Sequence, residues 1–192
     1  MKHLSKIITG IAITLLVGCA AGVNFQKMSE DRLTLGKTTK TDVLASMGKP
    51  NGKGTNTFNG VELEIVTYAY AKVGGSAALP GVTPARSQGL LFKDGVLVGK
   101  EYTSSFEVDS TLFDTDKAKA ISKGQTKDDV IAVMGLPLGE YLFPIIDDQD
   151  GYAFVYMFTQ TKGFKSKSDL FVVEFDSANV VTKTKLSSAG QL

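Results

Sequence analysis

The sequence predicts an α+β fold built from two tandem helix-helix-four-strand repeats, forming antiparallel sheets with their helices on one face. Three observations carry that expectation. The block Thr39–Gly52 returns as Thr126–Gly139 with nine identities in fourteen positions. A second block, Phe92–Lys100, aligns without gaps to Phe175–Lys183. Between the two blocks of each half lies a run with aromatics two apart, Tyr68 and Tyr70 in the first and Tyr152, Phe154, Tyr156 and Phe158 in the second. Alternation with a period of two marks a strand, because successive side chains point to opposite faces. A chain of 192 residues has room for two such units.

The first element is a leader. Lys2 and Lys6 flank the start of an eleven-residue apolar run, Ile7 to Val17. A run of that length is too short to span a bilayer, which takes about 20 residues, and suits the apolar region of a signal peptide. It ends in Leu16-Val17-Gly18-Cys19-Ala20, which resembles the bacterial lipobox. The resemblance implies cleavage before Cys19 and acylation of Cys19, with residues 19–28 as a lipidated tether. Two or more acyl chains hold a protein stably on a membrane. Ala20 stands where an Asp would mark inner-membrane retention, so the expected location is the outer membrane, facing the periplasm.

A short helix is expected around Phe25–Leu33 and its counterpart around Thr115–Ser122. The repeated block then supplies a second helix with both ends written into it. Thr39 or Thr126 caps the N-terminus with Asp42 or Asp129 three residues on, as in a capping box. Val43 and Met47, like Val130 and Met134, share one face. Gly48 and Gly135 end the helix in a left-handed residue, and Pro50 and Pro137 forbid its continuation. Asn59-Gly60 signals a hairpin joining Gly54–Phe58 to Val61–Lys72. Asp150-Gly151 suggests the same before Tyr152–Gln160. Gly74–Gly89 reads as a mobile loop, and Phe92–Lys100 and Phe175–Lys183 as strand, turn and returning strand. The repeats are expected at 29–108 and 109–187, joined near Phe106–Ser110, with 188–192 as a tail.

These residues resemble a known family. The pattern Gly-x-Thr-x-x-x-Val-x-x-x-(Leu/Met)-Gly-x-Pro, followed by a Tyr-x-Tyr strand and a Phe-x-x-Gly hairpin, is similar to the BamE (SmpA/OmlA) lipoproteins. The second copy carries it through Gly124, Thr126, Val130, Gly135 and Pro137. The first departs by one inserted residue between Gly36 and Val43, and Ala178 and Asn179 replace the hairpin glycine of the second. Two copies in one chain resemble the tandem architecture of beta-lactamase inhibitor protein. The resemblance implies a small outer-membrane lipoprotein that supports envelope assembly through protein partners.

Composition narrows the chemistry. The only His is His3 and the only Cys is Cys19, and there is no Trp. Past the leader there is therefore no histidine general base, no thiol nucleophile beyond Cys19 and no usual zinc set. The mature charge of −1 gives no field for nucleic acid. Asp147-Asp148-Gln149-Asp150-Gly151 superficially suggests calcium. An EF-hand register on Gly151 would need acidic residues where Ile146 and Met157 stand, so the segment reads as a solvated acidic turn. Lys162, Lys165 and Lys167 cluster at a hairpin turn, as a solvated loop or a contact for lipid headgroups. The expectation is thus a non-catalytic binding module with no cofactor and no metal, tethered through Cys19 and meeting envelope proteins. Two alternatives stand beside it: an inhibitor of a hydrolase, or a carboxylate-dependent cell-wall hydrolase. The aromatic rows fit either a core beneath the helices or an open face on which Tyr68, Tyr70, Tyr156 and Phe158 meet the partner.

Overall fold

The computed structural model describes residues 20–192. The leader 1–18 and Cys19, which carry the export and acylation expectations, lie outside them. The strands are β1 (Ala20–Gly22), β2 (Gly52–Phe58), β3 (Val61–Lys72), β4 (Ala85–Lys93), β5 (Val96–Ser104), β6 (Gly139–Tyr141), β7 (Tyr152–Lys162), β8 (Lys165–Phe175) and β9 (Val181–Gly190). The helices are α1 (Lys40–Met47), α2 (Thr115–Ala120) and α3 (Lys127–Met134).

The strands form one antiparallel sheet in the order β1-β3-β4-β5-β6-β7-β8-β9, with β2 sharing the outer edge of β3. The two repeats therefore build a continuous sheet rather than two. The seam is β6, which pairs Gly99 with Tyr141 on one side and Gly139 with Val155 on the other. Glycine makes the close approach possible. A Cβ on Gly139 would fall 2.9 Å from the Lys100 carbonyl oxygen, and one on Gly99 would fall 2.3 Å from Ile145 Cδ1.

The duplication is reproduced bond by bond. Thr39 and Asp42 form a capping box on α1, and Thr126 and Asp129 form one on α3. The Gly36 N–H donates to the Leu97 carbonyl at 2.8 Å, and Gly124 donates to Val181 at 2.9 Å. Lys40 donates to Gly95 and Lys127 to Asn179. These equivalences correct the gapless alignment of the second block. Phe92 pairs with Leu97, whereas Phe175 pairs with Val181, so the second hairpin is one residue longer. Asn179, the counterpart of Gly95, takes the left-handed position of the turn at φ 62°.

Several expected elements differ. From Ala20 on, the 19–28 tether is packed on the body, with Ala20–Gly22 paired to β3 and Phe25 and Met28 buried. The 188–192 tail begins inside β9, which pairs with β8 as far as Gly190. Over Phe25–Leu33 only Glu30–Arg32 is helical, as a single 3-10 turn. Its Met28 N–H donates to the buried Gln88 side chain instead of a helical carbonyl. Ala85–Gly89, expected as loop, is the first half of β4, held by ladders to β3 and β5. Asp150-Gly151 makes no tight hairpin. β6 and β7 are joined by residues 142–151, and Leu142 and Ile145 of that loop pack on Leu63, Leu91 and Val98. The sheet face opposite the helices is therefore covered at its centre. On the helix face lie two cores, one around Leu33, Val43, Val66 and Phe92, the other around Val130, Phe154, Phe171 and Phe175.

Candidate partner interface

The aromatic rows settle on the helix side. Tyr68 is 2% exposed, Tyr156 7% and Phe158 2%. The Tyr68 hydroxyl donates to the Gly48 carbonyl at 2.8 Å, and the Tyr156 hydroxyl donates to the Gly135 carbonyl at 2.8 Å. Each tyrosine thus satisfies a carbonyl that the helix end leaves unpaired. Burial also pushes both phenols upward in pKa. The open-face expectation is corrected for Tyr68, Tyr156 and Phe158. The apolar alternates on the opposite face, such as Leu63 and Val155, found their own cover in the 142–151 loop.

Tyr70 has a different setting. It is half-buried and stacks on Phe106 with ring centroids 5.9 Å apart and planes 3° apart. Across the ladder sits Arg86, whose guanidinium lies 5.4 Å from the Phe25 ring, 5.5 Å from Phe106 and 5.9 Å from Tyr70. It donates to Asp109 at 3.2 Å and to the Asn24 side chain. Asp109 also accepts from the hydroxyls of Tyr102 and Ser104. Desolvation alone would raise the Asp109 carboxyl, but the donors Ser104, Tyr102 and Arg86 together hold it below the usual carboxylate range. The cluster fastens the Asn24 segment, β4 and the Phe106–Ser110 connection together. Beside it an open groove of about 360 Å³ is lined by Asn24, Phe25, Gln26, Lys27, Arg86 and Asp109.

A second cleft, of about 130 Å³, lies on the helix side where the repeats meet. Its walls include Tyr102, Leu112, Phe113, Met134, Leu136 and Leu138, and both Leu112 and Leu136 are exposed at its mouth. Exposed apolar side chains grouped around a cleft make it the candidate surface for a partner. In sequence this place reads only as a turn, Gly135-Leu136-Pro137-Leu138. A signal was nonetheless present: the first copy carries Lys49 and Asn51 where the second carries Leu136 and Leu138.

The acidic turn has a mechanical role. Asp147 accepts from Asn59 at 3.1 Å and from Lys183 at 3.3 Å, tying the β2–β3 hairpin to the second repeat. Ser104 and Ser188 occupy matching strand ends, and each donates to a carboxylate, Asp109 and Asp169 respectively.

Residues 110–185 match the family model described as outer membrane protein assembly factor BamE domain. The second repeat is BamE-like. The BamE-like repeat contains α2, α3 and β6 to β9, and it supplies most of the apolar cleft through Leu112, Phe113, Met134, Leu136 and Leu138. Among solved structures, the chain is similar to a candidate beta-lactamase inhibitor protein from Streptococcus mutans, at 11% identity and a TM-score of 0.41. That alignment covers 78% of this chain and 82% of the other. No curated protein matches the chain as a relative.

Proposed function

We propose that the chain is a non-catalytic, lipid-anchored periplasmic module that binds envelope proteins in outer-membrane assembly or maintenance. The observation that carries this reading is the BamE domain match over residues 110–185. It agrees with the lipobox around Cys19 and with the repeated cap, turn and strand motifs. The partner surface in this reading is the helix-side cleft, where Leu112 and Leu136 stand in water.

Two measurements test it. A Cys19→Ser chain should lose acyl labelling and leave the membrane fraction. Deleting the gene in its source bacterium should lower folded outer-membrane barrels and raise permeability to bulky antibiotics. A chain carrying Leu136→Lys with Leu138→Asn, the corner of the first repeat, should fold and fail to restore either property. Unchanged barrel levels and permeability after deletion would reject the assembly role.

A further inference from the structure

Strands β3, β5, β7 and β9 run one way and their ladder partners the other, so the connections fall at two ends of the sheet. The ends differ in chemistry. The connections at one end carry Asp94, Asp147, Asp148, Asp150 and Asp176, with Lys40 and Lys127 hydrogen-bonded beside two of the turns and Lys183 paired to Asp147. The other end has the β3–β4 connection, residues 73–84, which contains no charged residue at all. It also has the exposed side chains of Val73 and Val108, and Phe164, which is 97% exposed at the tip of the β7–β8 turn. Lys72, Lys162 and Lys165 stand exposed around them, with Glu107 among them.

The turn itself does not call for Phe164. A two-residue turn of this kind needs a left-handed first position, which Gly163 provides at φ 59°, and any small polar residue serves at the second. This is also the end at which the described chain begins. Ala20 pairs with Lys72, the Lys72 N–H donates to Pro84 at 3.0 Å, and the Thr83 N–H donates to Thr161 at 2.8 Å. Three strand-to-strand steps thus connect residue 20 to the base of the Phe164 turn, a reach of about 15 Å.

We propose that this end of the sheet lies on the lipid surface. Phe164 enters the boundary between headgroups and acyl chains, and Lys72, Lys162 and Lys165 face anionic headgroups. The strands then stand along the membrane normal, and the acidic end points away from the bilayer. The proposal rests on the reading of Cys19 as the acylated residue, which puts the anchor at the same end.

The experiment uses the acylated full-length mature chain bearing Phe164→Cys, labelled with a polarity-sensitive fluorophore, in vesicles of phosphatidylethanolamine and cardiolipin. Ser177→Cys, in the exposed turn at the acidic end, is the matched control. The label at 164 should shift to the blue and be quenched several-fold by nitroxide-bearing lipids, and the label at 177 should not respond. If both labels report water while the protein stays on the vesicles, the proposal is wrong and the anchor stands. Acyl labelling of Cys19 is read separately. Its absence, with the 164 label still quenched, would reject the anchor and leave the lipid-facing end intact. In a Cys19→Ser chain, binding to the same vesicles should be weak, salt-sensitive and lost on Lys162→Gln with Lys165→Gln. Binding indifferent to those two lysines would also overturn the proposal.

Discussion

Gln88 of β4 stands where β8 carries Phe171, Arg86 stands where it carries Asp169, and Tyr102 of β5 stands where β9 carries Leu186. The second core is filled with rings: Phe175 lies 5.1 Å from Tyr152 and 4.9 Å from Phe154. The first core admits polar groups, and three of them hold the segment before α1. Gln88 accepts from the Met28 N–H, Lys100 donates to the Leu33 carbonyl and pairs with Glu30, and Arg86 holds Asn24. The counterpart of that segment in the second repeat is α2, which is helical and whose first N–H groups donate to the Asp114 side chain rather than to the core. A non-helical strap brings unpaired backbone groups to the core, and buried groups of that kind need partners. One backbone plan thus accepts two kinds of core, and the choice follows from whether the covering segment is helical.

The largest expected effects test the shared plan. Tyr68→Ala and Tyr156→Ala should each destabilise by about 3–5 kcal/mol in denaturant titrations, the usual cost of emptying a large core site. Tyr→Phe at either position removes only the bond to the glycine carbonyl and should cost about 1 kcal/mol. A gap of several kcal/mol between the two alanine variants would break the equivalence of the repeats.

Exchanging core chemistry sharpens the difference. Gln88→Phe imports the residue of the second repeat, leaves the Met28 N–H without its acceptor and should cost about 2 kcal/mol. A more stable variant would mean that the polar core does not serve the strap. Gly48→Ala and Gly135→Ala should each cost about 1–3 kcal/mol, because φ 73° with ψ −153° and φ 80° with ψ −178° belong to a region nearly reserved for glycine. No atom lies within 4 Å of a Cβ built at either position, so the cost is backbone strain alone and should be equal.

Acid should loosen the cluster around Asp109. The Asp109 carboxyl is lowered in the folded state, so the unfolded chain holds the proton more tightly. The stabilisation is complete above the unfolded value, about 3.9, and fades as pH falls through the lower folded value. Asp42 and Asp129 are lowered alike by their threonine caps, so that part is common to both halves. Asp114 and Asp147 are lowered as well, so the test is local. Hydrogen exchange below about pH 4 should loosen the Asn24 segment, β4 and the linker around Asp109, and Asp109→Asn should remove that loosening. The smallest effects, about 1 kcal/mol each, are expected for Thr39→Ala and Thr126→Ala in thermal melts.

Sequence alone determined what neighbours along the chain can enforce. The capping boxes, the glycine and proline helix ends, the Asn59-Gly60 turn and the doubling of the whole pattern are local devices, in which each residue acts on backbone a few positions away. The one-residue insertion after Gly36 was legible for the same reason. Tertiary structure decided everything that depended on which surface arrived opposite. Both faces of β3 and β7 are apolar enough to form a core, and periodicity cannot choose between them. The choice fell out when the helices took the Tyr68 and Tyr156 faces and residues 142–146 covered the other. The strap over Phe25–Leu33 lost its expected helix to an acceptor on Gln88, sixty residues away. The fusion of two sheets into one depended on Gly99 and Gly139 meeting the opposing strands. Local chemistry fixes caps and turns because their partners are always within reach, whereas burial is settled only between segments that the folded chain brings together.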